Sequence, residues 1–85
     1  MAGKLGIYEF NLMSLHVQAA TLWDNGTFLA NRIDGNFRFN LYSLSDFYVE
    51  VEYLTNENEI IEFRSFKRGQ RLEPYLDQID VRWLL

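Results

Sequence analysis

Between Arg32 and Leu54 the chain alternates large apolar and polar side chains almost without a break, "RIDGNFRFNLYSLSDFYVEVEYL". Period 2 is the signature of β-strands. Upstream the period is that of a helix. In "SLHVQAATLWDNG", Leu15, Ala19, Leu22 and Trp23 fall at the i, i+4, i+7, i+8 spacing of one helical face. Ser14 is suited to an N-cap and Gly26 to the residue after the C-cap, so the spacing predicts a helix over Leu15 to Asn25. Tyr8 and Leu12 would carry the same stripe further upstream. "IYEFN" offers no cap of its own, and the start is therefore set at Ser14.

After Gly26 the alternation begins. Asp34-Gly35 between two alternating runs is a strong hairpin signal, because both loop positions of a type I′ turn favour positive φ. With these two as the loop, Ala30 pairs with Phe39 and Phe28 with Leu41. Phe28, Ala30, Phe37, Phe39 and Leu41 then share one face. Taking Leu44, Ser45 and Asp46 as the next loop pairs Leu41 with Val49, Phe39 with Val51 and Phe37 with Tyr53. Asn56 to Asn58 closes a third hairpin, which sets Val51 opposite Phe63 and Tyr53 opposite Ile61, in a fourth strand of about Glu59 to Lys67. "KRGQ" turns the chain, and "EPYLDQI" places Pro74 at the start of a short helix with Tyr75, Leu76 and Ile79 on one face. The expected architecture is a single α+β domain over residues 1–85. An N-terminal helix packs on a four-stranded antiparallel β-meander, with a short C-terminal helix beside it. Leu15, Leu22 and Trp23 are expected to pack against Phe28, Phe39, Leu41, Val49, Val51 and Phe63.

This register also writes out the second face of the sheet. Asn40, Glu50 and Arg64 form one row, and Arg38, Glu52 and Glu62 the next, both read as solvated ion pairs. Tyr42, Tyr48 and Phe66 fall side by side toward one end, and Ile33, Leu54 and Ile60 gather at the other. Three adjacent aromatics call for a cover. Either Trp83 or Leu85 of the C-terminal tail folds back over them, which is preferred because a small domain needs the burial, or a partner or second copy of the chain docks there. Tyr42, Tyr48, Phe66 and Trp83 are accordingly the candidate interaction surface.

Composition narrows the function classes. Hydrophobic residues are 48% of the chain and aromatics 16%, enough to support a folded core in 85 residues. No cysteine is present, which excludes disulfides and thiolate metal sites and gives no sign of an oxidising compartment. The start, "MAGKLGIYEF", carries no apolar run of signal-peptide or membrane-span length, so a cytoplasmic protein with no membrane association is expected. The formal charge of −4 disfavours nucleic acid and suits a free protein or one with a basic partner.

Side chains that could carry chemistry are few. His16, the single histidine, lies on the flank of the helical stripe, and Ser14 two residues before it supplies neither an orienting acid nor an oxyanion site. Glu50, Glu52, Glu57, Glu59 and Glu62 cluster around the third and fourth strands. A flat sheet face gives such carboxylates neither the three or more convergent oxygens of a metal site nor a cavity that would raise a pKa. They read as a solvated face, or as an acidic contact patch for a basic partner. Arg64, Lys67, Arg68 and Arg71 surround Phe66, but without the aromatic pattern of a single-strand-binding sheet they read as a charged turn. No phosphate-binding glycine loop or metal-ligand spacing occurs, and no cofactor is expected.

The run "LWDNGTFLANR", then "NLYSLSDFYVEVEY" and "LEPYLDQID", is similar to a family of small uncharacterised bacterial proteins of about this length. The likeness covers nearly the whole chain after Gly6. It implies a cytoplasmic bacterial protein and carries over no active-site residue. The leading functional expectation is a non-enzymatic protein–protein interaction module. The alternatives are an acidic inhibitor or immunity-type protein on a basic partner, and a small carboxylate-based enzyme or ligand-binding domain.

Overall fold

The structure, a computed structural model, describes residues 5–57 and 59–79. Two helices, α1 (Ile7–Leu12) and α2 (Leu15–Asn25), precede four strands: β1 (Thr27–Asp34), β2 (Phe37–Leu44), β3 (Phe47–Leu54) and β4 (Glu59–Phe66). The strands form one antiparallel meander in the order β1-β2-β3-β4. A 3-10 helix, Gln70–Tyr75, follows, and with the turn to Ile79 it makes a C-terminal strap. The α+β class and the meander are as the periodicity predicts.

α2 has the predicted bounds, and the Ser14 hydroxyl accepts from the Val17 N–H at 3.3 Å. The upstream stripe is a separate helix, because Met13 is extended and breaks the ladder. α1 does have a cap: the Gly6 N–H donates to Glu9 Oε1 at 2.9 Å, the reaching-back half of a capping box. Gly26 has an ordinary φ of −81° rather than a left-handed one. It must be glycine for another reason, since a Cβ there would lie 2.7 Å from the Leu22 carbonyl oxygen.

Three departures in the strands decide which residues share a face. The first hairpin turns through Gly35 and Asn36, with Asp34 paired to Phe37. Only Gly35 has positive φ, at 61°, the requirement of a II′-type loop rather than I′. Phe28 pairs with Tyr42 instead of Leu41, because a bulge at Leu29 flips it to the other face. Most consequential is the second hairpin, which is shorter by one residue. Leu44 is paired with Phe47 and only Ser45 and Asp46 form the loop, with Ser45 at φ 56°. Leu41 therefore pairs with Glu50, and Phe39 with Glu52. This single-residue difference puts Phe39 and Leu41 on the face opposite Val49 and Val51. Keeping Leu44 in the strand buries it almost completely, which offsets the strained serine. The third pairing has the predicted register at Val51–Phe63, Glu50–Arg64 and Glu52–Glu62, after which a bulge at Ile61 sets Tyr53 opposite Ile60. Asn58, assigned to this turn, lies outside the described residues.

The sheet is thus apolar on both sides. One face packs Leu44, Phe47, Val49, Val51 and Tyr53 against Phe10 and Leu22 of the helices. Phe10, which the predicted core omitted, is fully buried, whereas Leu15 is 51% exposed. The other face packs Ala30, Phe39 and Leu41 beneath Leu72, Tyr75 and Ile79 of the strap. Leu72 and Tyr75 meet the sheet at the i, i+3 period of a 3-10 helix. Pro74 lies inside that helix, not at its start, and Leu76 is exposed rather than buried.

Replacing Ser45 by glycine should relieve the left-handed strain and raise stability by about 0.5–1 kcal/mol. Gly26→Ala should lower it by roughly 1–3 kcal/mol, as the Leu22 backbone cannot move aside without disturbing α2. Urea denaturation midpoints check both. Equal midpoints for the two variants would contradict the turn and the helix end described above.

Candidate functional site

Glu50 and the guanidiniums of Arg32, Arg64 and Arg71 converge where the strap meets the sheet. Glu50, at the middle of β3, is only 2% exposed. The even-numbered positions of β3 face the strap, so a residue that the alternation assigns to solvent is enclosed. Its carboxylate is met from three other elements. The Tyr75 hydroxyl of the strap donates to Oε2 at 2.6 Å. Arg32 of β1 approaches the same oxygen at 3.5 Å, while Arg64 of β4 and Arg71 of the strap lie 3.9 and 3.8 Å from Oε1. Arg32 also stacks on Phe39, its guanidinium carbon 3.9 Å from the ring centroid.

The neighbouring row would set two like charges opposite each other, Glu52 against Glu62. Arg64 lies between them and resolves the repulsion, at 2.7 Å from Glu52 and 3.2 Å from Glu62. Partial burial works against its charge, but the Glu52 hydrogen bond and the charges of Glu62, Glu52 and Glu50 outweigh it and raise its pKa. The Tyr75 phenol is pushed far above its ordinary range, first by burial, then by its bond to Glu50 and the charge of that carboxylate. The enclosed Glu50 carboxylate is thus held by a phenol and guanidiniums that come from β1, β4 and the strap. The arrangement is chemically that of a lock between sheet and strap.

The predicted acidic patch is therefore divided. Glu50 is enclosed, Glu52 is largely covered beneath Arg64, and Glu57, Glu59 and Glu62 remain at the surface. The row placing Arg38 beside Glu52 and Glu62 is corrected by the register: Arg38 is on the helix face, its guanidinium carbon 5.0 Å from the Tyr53 ring centroid. The basic run disperses as well, with Lys67 turned to Asp46 at 3.6 Å and Arg64 and Arg71 turned to glutamates.

The aromatic row is split by the same one-residue change. Tyr48 and Phe66 are paired and stacked, with centroids 5.6 Å apart, on the strap face. Tyr42 is on the helix face, where its ring lies 5.6 Å from Trp23 and 5.7 Å from Phe28. Trp23 also meets Phe63 at 6.4 Å, and Phe63 meets Phe10 at the same distance. Burial, and next the charge of Tyr53, raise the Tyr42 pKa, against smaller opposing effects of Asn40 and Arg38. Trp83 lies outside the described residues. Trp23 and Phe28 are the members of this aromatic run that the candidate surface omitted. Trp23 is 47% and Phe28 53% exposed. No signal in the sequence marks the Leu29 bulge that turns Phe28 to this face.

His16 is exposed on α2. Among the described residues no group of three or more His, Cys, Asp or Glu is placed to hold a metal ion. An open groove of about 430 Å³ runs beside the second hairpin, lined by Ser43, Asp46, Tyr48 and Lys67 among others. Another, of about 490 Å³, lies between Leu5, Thr21, Asn25 and Leu44. His16 lines neither groove. Among the described residues no helix is long and apolar enough to cross a membrane. No family model, no curated protein and no solved structure matches the chain.

Glu50→Ala should cost about 3–5 kcal/mol, because it leaves partly buried guanidiniums without their carboxylate. Thermal unfolding at neutral pH checks it, and a loss below 1 kcal/mol would show that the cluster is not a lock. The raised Tyr75 pKa carries its own sign. Its contribution to stability is complete below the unfolded phenol's pKa near 10.0 and is lost as pH rises beyond that. Stability measured from pH 8 to 11 should thus fall above pH 10, less steeply in Tyr75→Phe than in the parent.

Proposed function

We propose that the chain is a non-enzymatic protein–protein interaction module, and that its contact surface is the aromatic run on the helix face: Phe28, Tyr42 and Trp23. The observation that carries this is the half-exposure of Trp23 and Phe28 while both rings are already packed against Tyr42. Rings ordered before binding lose little freedom on binding, and Trp and Tyr are the residues that most often dominate interface energy. Tyr8 and Leu12 on α1 are more exposed, but no ring contact places them.

The partner is a short apolar segment of another protein rather than a second copy. Half-exposed aromatics of this size offer on the order of 300 Å², against about 800 Å² per partner in a stable interface, and two chains of net charge −4 repel. The same charge disfavours nucleic acid. A cytoplasmic bacterial setting is part of the same proposal. The alternative, an acidic inhibitor of a basic partner, rests on Glu57, Glu59 and Glu62, since enclosure withdraws Glu50 and Glu52 from contact.

A bait comparison separates the readings. Phe28→Glu, on the exposed part of the run, should retain the parent's melting temperature within a few degrees and lose its specifically bound proteins, with at least a tenfold drop in recovery. Lysine at Glu57, Glu59 and Glu62 together should leave recovery intact. The reverse pattern would favour the acidic reading, and loss with neither set would end the surface assignment. Concentration-dependent sedimentation of the parent would replace the external partner with a second copy.

A further inference from the structure

β1 is an edge strand, and one point on that edge is already filled by the chain itself. The Asn31 N–H donates to Gln78 Oε1 at 3.2 Å, and Gln78 Nε2 donates to the Asn31 carbonyl at 2.5 Å. Asn31 is paired across the sheet with Asn40, but these two backbone groups point away from β2. A primary amide that both donates to and accepts from one residue reproduces the two-bond exchange that a neighbouring strand makes in an antiparallel ladder. Gln78 thus occupies the place of a peptide unit. Its neighbours Tyr75 and Ile79 are buried against Ala30, Phe39 and Leu41, so edge and face are covered by one segment. That segment is joined to β4 through Gly69, whose φ of 115° is a glycine conformation and suits a hinge. Both edge strands carry a bulge, at Leu29 in β1 and at Ile61 in β4, but the β1 edge at Asn31 is in addition met by the Gln78 amide.

We propose that the strap is a displaceable plug of the β1 edge, and that its occupied position is a latent site for an extended polypeptide strand recognised through its backbone. The Tyr75–Glu50 bond sets how readily the plug is released. When the strap swings out about Gly69, Asn31 loses its amide partner. The outward-facing groups of Asn31 and Ile33, on the hairpin side of the Leu29 bulge, then stand open to an incoming strand. A partner that adds here competes with Gln78, so its apparent affinity is the intrinsic one scaled by the fraction of time the strap is open.

The test uses the full chain and its Tyr75→Phe variant. Amide hydrogen exchange should show Asn31 sharing one opening event with the strap amides of Leu72, Leu76 and Gln78. In Tyr75→Phe all four should exchange about tenfold faster, while Val49 and Val51 are unchanged. Acceleration of the strap without Asn31, or of the whole sheet equally, would overturn the plug. The binding probe is a synthetic octapeptide of alternating valine and threonine with a lysine at each end. It should bind the variant about tenfold more tightly than the parent, and shift amide resonances of Thr27 to Asp34 and of the strap. Shifts confined to Trp23, Phe28 and Tyr42 would overturn this inference while leaving the proposed contact surface standing. Equal affinity for both proteins, or binding to neither, would overturn the latent site alone.

Discussion

The pairing of Leu44 with Phe47 across a two-residue turn is the constraint on which the remaining architecture depends. It sets the parity between β2 and β3, and the side-chain period in a strand is two, so one residue of difference exchanges every side chain between faces. With a three-residue loop the sheet would have one oily face and one charged face, and a single layer of helix would complete it. With the observed turn, Val49 and Val51 look toward the helices while Phe39 and Leu41 look the other way. A second cover becomes a necessity. The chain supplies it with the strap, and because β3 also directs Glu50 to that side, the second core has to be closed around a charge.

That charge explains why the strap sits in one place. Leucine at position 50 would match the hydrophobicity of the surrounding face, and packed apolar residues often hold as well as a buried ion pair. An apolar contact is tolerant of sliding, however, whereas the carboxylate is satisfied only when Tyr75 and Arg71 from the strap and Arg32 and Arg64 from the outer strands arrive together. Stacking of Arg32 on Phe39 ties the same cluster to the apolar surface. The network is therefore best understood as giving register to a short 3-10 segment with little intrinsic stability.

Much of the fold is legible from the sequence because most of its local signals agree. Ser14 and the apolar spacing mark α2 to the residue, and the alternation with its turn residues marks the four strands and the register of β3 with β4. What is not legible has specific causes. The strand "VEVEY" alternates as though its glutamates were solvated, and periodicity alone cannot distinguish a polar residue facing water from one enclosed by charges distant in sequence. Ser45 carries no sign that it will adopt positive φ, which a glycine would have announced. The Leu29 bulge moves Phe28 between faces without altering the pattern around it. The cap on α1 is a side chain at Glu9 reaching back to a glycine N–H, whereas Ser, Thr, Asp and Asn are the usual N-cap residues. The candidate aromatic row followed the register, so one shortened turn was enough to send Tyr42 to the face opposite Tyr48 and Phe66.

The same geometry separates two kinds of aromatic surface that the sequence presents as one. Tyr48 and Phe66 stack beside the strap and complete its apolar cluster. Trp23 and Phe28 gain no such cover: they are held from beneath by Tyr42 and open to solvent above. Ordering a side chain without burying it forgoes much of the hydrophobic stabilisation that normally offsets the lost rotamer entropy. A surface that carries this imbalance gains free energy when an apolar segment covers it, and the rings need no rearrangement to receive one. The strap face is closed by contacts of the chain with itself: Tyr48 and Phe66 stack on each other, Tyr75 and three guanidiniums meet Glu50, and Gln78 meets the β1 edge at Asn31.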